Sequence, residues 1–351
     1  MLAITVAPGE GSSALVKEVP EPSRSDGAVL VRTIALGVCG TDREIVSGQY
    51  GNAPPGEARL ILGHESLGSV ESAPPDSGLQ PGDLVVGIVR RPDPVPCIAC
   101  AAGEWDMCRN GKYTERGIIG RHGYGSERFR IEPDFAVKLD PALGHLGVLL
   151  EPASILAKAW EQIALIGERA HKWSPRTVLV TGAGPIGLVA AMMGAQRGLD
   201  VHVFDRNATG VKPSLVHDLG ASYHHGAIAE TLERLAPDVI IECTGAPALI
   251  RDLWGRTAAT GIICLTGVSD SGRALDVDVG WLNRTLVLDN QVIFGTVNAN
   301  RRHYELAARA LAHADRSWLE RLITRRVPLE QWGEALEVRP GDVKVIIDFA
   351  G

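Results

Sequence analysis

No stretch of the 351 residues holds the ~18 uninterrupted apolar residues that a membrane-crossing helix needs, so no membrane span is expected. There is no excess of positive charge either. The 35 Lys and Arg stand against 42 Asp and Glu, a net of −7, which excludes a basic nucleic-acid footprint. That imbalance is also too mild for an acidic interaction tail. Aromatic residues are scarce, at 5%, but apolar residues reach 45% and charged ones only 22%, so a disordered chain is excluded. The first residues, MLAITVAPGEGSS, lack a basic start leading into a long apolar core. A secretory leader is therefore not expected, and a cytoplasmic location is. No internal repeat or low-complexity tract is visible.

Cysteine is also sparse. The six are Cys39, Cys97, Cys100, Cys108, Cys243 and Cys264, and three of them fall within twelve residues. In a chain of this length, such clustering reads as metal binding more readily than as a disulfide framework.

Glycine is plentiful, at 40 residues, and the length suits two domains of ~100–200 residues each. The first half carries short β-like runs broken by Gly, Pro and Asp, such as AVLVRTIAL (28–36), SLGSVES (66–72), DLVVGIV (83–89) and SERFRI (126–131). From about residue 152 the texture changes. PASILAKAWEQIALIGERA reads as a helix, with Ile155, Ala159, Ile163 and Ile166 near one face. Strand and helix patterns then alternate through RTVLVTG, GPIGLVAAMMGAQ, VHVFD, DVIIECTG, GIICLTGV and QVIFGTV. Near-continuous apolar runs of this kind suit parallel strands buried on both faces. The expectation is an α/β chain. A mostly β domain (1–155, completed by 296–351) would carry a doubly wound domain (156–295). After residue 296 one helical stretch, HYELAARALAHA (303–314), precedes the apolar run VKVIIDF (343–349).

The clearest motif is VLVTGAGPIGLVAA, with G-x-G-x-x-G at Gly182, Gly184 and Gly187 and with Pro185 and Ile186 between. It follows a strand pattern and opens a helix pattern, which is the context a dinucleotide site requires. Gly182 suits the tight turn, Gly184 lets a pyrophosphate approach the backbone, and Gly187 lets helix and strand pack closely. The helix start then offers free N–H groups to the phosphates. Asp205 closes the next strand, 18 residues after Gly187. An acid there accepts from the ribose hydroxyls and disfavours a 2′-phosphate. NAD is thus favoured, and the adjacent Arg206 leaves NADP open.

Cys39 in GVCGTD, His64 and Glu65 in LGHES, and Glu151 in LLEPAS are all of zinc-ligand type. Catalytic zinc takes three protein ligands and keeps one position open. These four residues are far apart in sequence, so spacing alone leaves a purely structural reading open.

Taken together, GVCGTDREIVSGQYG, LILGHES, PGDLVV, VRRP, ERGIIGRHGYGSE, LLEPASI, GAGPIG and VNANRRHYE resemble the zinc-dependent medium-chain alcohol dehydrogenases, closest to the archaeal-type glucose 1-dehydrogenases. The resemblance runs almost end to end. It implies a GroES-like catalytic domain joined to a Rossmann domain, with zinc and NAD(P) as cofactors. By position, it implies Cys39 and His64 as zinc ligands, with Glu151 as third ligand and Glu65 as a carboxylate that exchanges in or orients the others. It makes Thr41 the hydroxyl that begins proton release, with Glu44 at the titrating end of that relay and Asp42 orienting a ligand. It assigns Glu115 and Asn298 to sugar hydroxyls, and His303 more weakly, since a histidine at a helix start is usually just solvated.

The resemblance further implies a structural-zinc lobe, here incomplete. Relatives with an intact lobe show C-x2-C-x2-C-x7-C. This chain keeps Cys97, Cys100 and Cys108, has Pro94 at the first position, and offers Asp93 as the nearest oxygen ligand.

The implied activity is hydride transfer from a hydroxyl of glucose or a related aldose to NAD(P). The alternative is the same chemistry on a polyol, aminocyclitol or sugar-containing secondary metabolite, favoured by Gln49 and Ile155, where this chain departs from the glucose enzymes. A non-catalytic binding protein on the same fold would be expected to have lost Cys39, Thr41, His64 or the glycines. Relatives assemble as homo-dimers or homo-tetramers through their nucleotide domains, and the same is expected here.

Overall fold

Alternation in VLVRTIALGV builds the strand Val29–Val38, which sends Val29, Val31 and Thr33 inward and is buried on both faces from Ala35 on. In a computed structural model describing residues 1–269, 272 and 274–349, this strand centres a seven-stranded sheet. Its antiparallel neighbours are Glu65–Ser72, Lys344–Asp348 and Arg128–Ile131. The strand Leu84–Gly87 extends the sheet beyond Glu65–Ser72, and Ile323–Pro328 extends it on the other side. Register places Glu65 opposite Gly37 and Val345 opposite Val38. Ile4, Val31, Leu60, Tyr124, Phe129 and Ile347 fill the core of this unit, each at most 2% exposed. Full burial contributes roughly 1.5–3 kcal/mol for each large apolar side chain.

By the clustering of its contacts the chain forms two units. One is Met1–Ser154 with Asn298–Gly351, its last two residues lying outside those described. The other is Ile155–Val297. The second unit holds six strands, all parallel, in the order Ser222–His224, Asp200–Phe204, Thr177–Thr181, Val239–Glu242, Ile262–Leu265 and Val292–Gly295. Val178, Leu179, Val180, Ile240 and Ile263 are wholly buried, as the apolar runs predict. The strand order reverses at Thr177–Thr181: the following strand lies on one side of it and Val239–Glu242 on the other. In such sheets, ligands bind at the carboxyl ends of the strands at this switch point.

Two features differ from the sequence reading. Three helices, Arg301–Ala312, Arg316–Leu322 and Trp332–Leu336, follow residue 296 where one was expected. The two later ones are too short to show a clear period of 3.6. At one edge of the parallel sheet, two imidazoles form a chain that the sequence did not reveal. Arg234 Nη2 lies 3.1 Å from His224 Nδ1, His224 Nε2 lies 2.8 Å from His202 Nδ1, and His202 Nε2 lies 3.1 Å from Asp200 Oδ2. A guanidinium only donates and a carboxylate only accepts, so each bond fixes the next. Both rings carry their proton on Nε2.

Candidate metal and dinucleotide sites

Cys39 directly precedes the helix Gly40–Val46, and His64 precedes the strand beginning at Glu65. The sheet brings these segments together, so that ligand atoms of Cys39, His64 and Glu65 all lie within 4.8 Å of one another. Cys39 Sγ and His64 Nε2 are 3.1 Å apart.

Asp42 holds both of these residues. Its Oδ2 accepts from the Cys39 backbone N–H at 2.9 Å, and its Oδ1 faces His64 Nδ1 at 3.4 Å. That contact directs Nε2 toward the cluster, the usual way in which a carboxylate orients a metal-binding imidazole. Burial opposes both charges, but the partners outweigh it. His64 and the Cys39 amide hold the Asp42 carboxyl below its ordinary value, while Cys39 and Asp42 raise the His64 imidazole well above its own.

Lys344, with no exposed surface, reaches in from the late strand Lys344–Asp348. It ion-pairs with Glu65 and donates to the Val38 carbonyl at 3.2 Å. Gly37 sits directly against this pair, and a β-carbon there would overlap the Glu65 carboxylate. Glu151 lies outside the 4.8 Å set. It stays buried on the helix Leu150–Gly167, and its carboxyl is pushed up to about 7 by burial, which the nearby Glu65 charge reinforces and His64 opposes. Thiolate, imidazole and carboxylate converging here fit zinc.

Thr41 and Glu44 lie on the helix Gly40–Val46 three residues apart, hence on one face of it, and both are partly exposed. Glu115 lies elsewhere in the same unit. Its Oε1 accepts from Arg90 Nε at 3.0 Å, Arg90 Nη2 at 2.9 Å and Asn298 Nδ2 at 2.5 Å. Asn298 adopts a left-handed φ of 64° to make that bond. The Arg90 guanidinium lies 3.6 Å above the Tyr113 ring. Burial and the Glu115 charge raise the hydroxyl of the neighbouring Tyr50.

His303 is not the solvated helix-start residue expected from sequence. It is fully buried, and its Nδ1 accepts from the Asn300 N–H at 3.1 Å. With no surface of its own, it cannot touch a sugar in this structure.

Lys344, Arg90, Tyr50 and Tyr113 also belong to these surroundings, though no ligand or cofactor motif singles them out in the sequence. Lys344 did leave a signal: a single lysine inside the apolar run VKVIIDF is costly to bury without a charged partner.

The three-cysteine loop is built differently. Cys97, Cys100 and Cys108 also place their sulfurs within 4.8 Å of one another. Cys97 Sγ accepts from the Arg109 amide at 3.3 Å and the Cys100 amide at 3.5 Å, and these donors bring its thiol down to about 6. Burial lifts Cys100 to about 11. Asp93 does not join the set. Its Oδ1 accepts from the Val95 amide at 2.8 Å and its Oδ2 from Asn110 Nδ2 at 2.9 Å, so its carboxylate closes the loop.

In the second unit, the glycine motif sits at the end of Thr177–Thr181 and opens the helix Pro185–Gln196. Gly182 has φ 92°, and a β-carbon on Gly187 would collide with the Gly182 carbonyl. At Gly184 the same position is open space, and Gly184, Pro185 and Ile186 keep exposed surface where a pyrophosphate would approach. Asp205 is only 8% exposed. Its oxygens accept from the Ala183 amide at 2.7 Å and the Asn207 amide at 3.0 Å, with Lys212 Nζ at 3.4 Å. The acid therefore ties down the glycine loop, and Lys212 offsets its charge. Arg206 beside it is exposed.

Comparison with known proteins agrees with this construction. The alcohol dehydrogenase GroES-like domain family matches residues 25–141, and the family termed glucose dehydrogenase C-terminus matches residues 144–349. The chain is 41% identical to a glucose 1-dehydrogenase of Methanocella arvoryzae and 40% identical to one of Thermoproteus tenax, over 99% of each chain in both cases. Its fold matches that of Haloferax mediterranei glucose dehydrogenase, solved in complex with NADP, Zn and gluconolactone, with a TM-score of 0.92 and 33% identity over 100% of both chains.

Fold and site thus define a zinc-dependent medium-chain alcohol dehydrogenase. Within that class, the chain belongs to the glucose dehydrogenase family.

Proposed function

We propose that the chain oxidises the anomeric hydroxyl of glucose, or of a close aldose, to the lactone and passes the hydride to NAD or NADP. The observation that carries this reading is the presence in one unit of the Cys39–His64–Glu65 cluster and of a carboxylate, Glu115, held by Arg90 and Asn298.

Cys39 and His64 would hold the metal, with Glu65 and Glu151 as the carboxylates that exchange as third ligand. Bound there, zinc supplies Lewis acidity that lowers the pKa of a substrate hydroxyl. Thr41 takes the proton from that hydroxyl and passes it along its helix face to Glu44. The same carbon gives up its hydrogen with both bonding electrons to C4 of the nicotinamide. Because Arg90 and Asn298 both bond Oε1 of Glu115, its Oε2 is left to accept a sugar hydroxyl. A substrate lacking that hydroxyl would leave the acid unpaired, which is a strong basis for selection.

In the second unit, Gly182, Gly184, Pro185, Ile186 and Gly187 cradle the pyrophosphate. Because Lys212 offsets Asp205 and Arg206 is exposed, a 2′-phosphate is accepted as well as a free ribose.

Among the described residues, no helix is long and apolar enough to cross a membrane. We place the enzyme in the cytoplasm, as a homo-dimer or homo-tetramer joined through the second unit. The edge strand Val292–Gly295 and the helix Val279–Leu288 support that assembly, since the helix leaves Val279, Val287 and Leu288 more than 60% exposed.

The test is initial rates of NAD and NADP reduction by the zinc-loaded protein on D-glucose, other aldoses, polyols and aminocyclitols. Rapid turnover of D-glucose is expected. Turnover of polyols or cyclitols alone would move the site to those substrates, and silence throughout would overturn the assignment.

A further inference from the structure

A cleft of about 870 Å³ lies in the first unit, and none of Cys39, Thr41, His64, Glu65, Glu115 or Glu151 lines it. Its walls carry six cationic side chains, Lys17, Arg59, Arg116, Arg121, Arg128 and Arg130, against four acids, Glu18, Glu21, Asp26 and Glu57. Part of this charge is already matched. Glu21 pairs with Arg128 at 2.9 Å, Glu57 with His122 at 2.9 Å, and Arg121 with Glu132 outside the cleft wall.

Three guanidiniums are satisfied in another way. Arg59 donates to the Thr5 hydroxyl at 3.0 Å and to the Thr5 and Ser13 carbonyls at 3.0 and 2.7 Å. Arg130 donates to the carbonyls of Pro22, Gly27 and Ala28 at 3.2–3.5 Å. Arg116 is 4% exposed and donates to the carbonyls of His122, Asp26 and Arg130 at 2.7–3.3 Å. Its Nε has no acceptor, and the nearest carboxylate, Glu132, is 4.0 Å away. Neutral oxygens accept these N–H groups without cancelling their charge, and an arginine cannot shed its proton. Positive charge therefore remains on the cleft wall.

The geometry points to a binding site for a small phosphate ester bearing hydroxyl groups, separate from the metal cluster. A phosphate group accepts from guanidinium N–H groups; Arg59 Nη1 and Arg130 Nη2 take no part in the bonds above, and both side chains are partly exposed on the wall. Glu18 and Asp26 on the same wall accept hydroxyls and disfavour a more highly charged anion such as citrate. The strand Thr114–Arg116 gives the site a structural neighbour: successive side chains of a strand point to opposite faces, so Glu115 turns to Arg90 and Asn298 while Arg116 turns to the cleft.

The test is calorimetric titration of the full-length, zinc-loaded protein saturated with NADP, so that cofactor phosphate subsites are filled. The probes are sn-glycerol 3-phosphate, inorganic phosphate, citrate and glycerol, at ionic strength held constant with NaCl. Saturable one-to-one binding of glycerol 3-phosphate is expected, with inorganic phosphate weaker and glycerol silent. Arg59→Gln and Arg130→Gln should each weaken it about tenfold, the loss expected for one charged hydrogen bond. The unfolding midpoint should drop by a few degrees, because each variant loses bonds to main-chain carbonyls, while glucose turnover at 25 °C stays unchanged and shows that the variants are folded. No saturable heat with either phosphate, or binding that persists undiminished in both variants, would overturn the proposal. Citrate binding more tightly than glycerol 3-phosphate would overturn the ligand class.

Discussion

Among the described residues, two clusters of metal-ligand type are built on opposite plans. Cys39, His64 and Glu65 come from segments that the sheet brings together, and they are backed by Asp42 on one side and Lys344 on the other. Cys97, Cys100 and Cys108 come from one loop of twelve residues and are backed by main-chain amides and by Asp93, which closes the loop. The first plan holds mixed donors among charged partners, in the arrangement of a reactive centre. The second holds thiols alone, at sequence-local spacing, a donor set of structural type.

The comparison breaks most sharply on removal of a ligand. Cys39→Ser or His64→Ala should abolish zinc retention at the first cluster. A Lewis acid contributes several kcal/mol, so kcat/KM for D-glucose should fall roughly 10³-fold or more. Cys97→Ser should leave turnover within about threefold, because its sulfur is not part of the first cluster. Equal losses in the two variants would erase the distinction.

Asp42→Asn tests the backing of the reactive centre alone. Orienting carboxylates of this kind typically contribute 10–100-fold in metal affinity or activity, and a loss of roughly that size is expected in a zinc-competition titration. An unchanged affinity would show that the Asp42–His64 contact orients nothing.

Cys100→Ser reports on the loop. Its sulfur is buried, and the change should cost about 1–2 kcal/mol, read as a Tm lower by roughly 2–8 °C. Glucose turnover at 25 °C should not follow.

The smallest effect comes from the imidazole chain at the edge of the parallel sheet. Burial, together with His202 and Arg234, brings His224 down to about 4, so the unfolded chain binds that proton more readily than the folded one. The stability tied to neutral His224 is fully present above the ordinary histidine value of ~6.5 and is lost as pH falls toward 4. Urea unfolding between pH 7 and pH 4.5 should steepen in that window, and His224→Gln should flatten the slope.

The parallel-sheet unit was legible because its signals are local. A buried strand, a glycine turn and a helix start lie within twenty residues, and chain order is nearly spatial order. Cys39 and His64 carried no local signal. They became legible only through resemblance, because what unites them is pairing between distant strands. Spacing also could not show that Asp93 would spend its oxygens on Val95 and Asn110, or that Asp205 would spend its own on Ala183 and Asn207. In both cases, backbone amides that no motif displays compete for the carboxylate. His303 read as a solvated helix start because its approach to Asp106, 3.9 Å away but far earlier in the chain, is invisible to helical periodicity.

The reach of Lys344 into the first cluster has a consequence for how the protein is made. Domains generally fold as units while the chain emerges from the ribosome. The parallel-sheet unit is one continuous stretch, so it can close as soon as Val297 has emerged. The other unit is more than half synthesised before that point, yet it lacks the strand Lys344–Asp348 that pairs with Ala35–Val38. Until then Glu65 lacks its lysine partner, and Ala35–Val38 is left unpaired on one edge and open to other chains. A chain halted after Val297 has emerged but before Lys344 is made would thus present a finished parallel-sheet unit together with a second one whose sheet edge is open to aggregation.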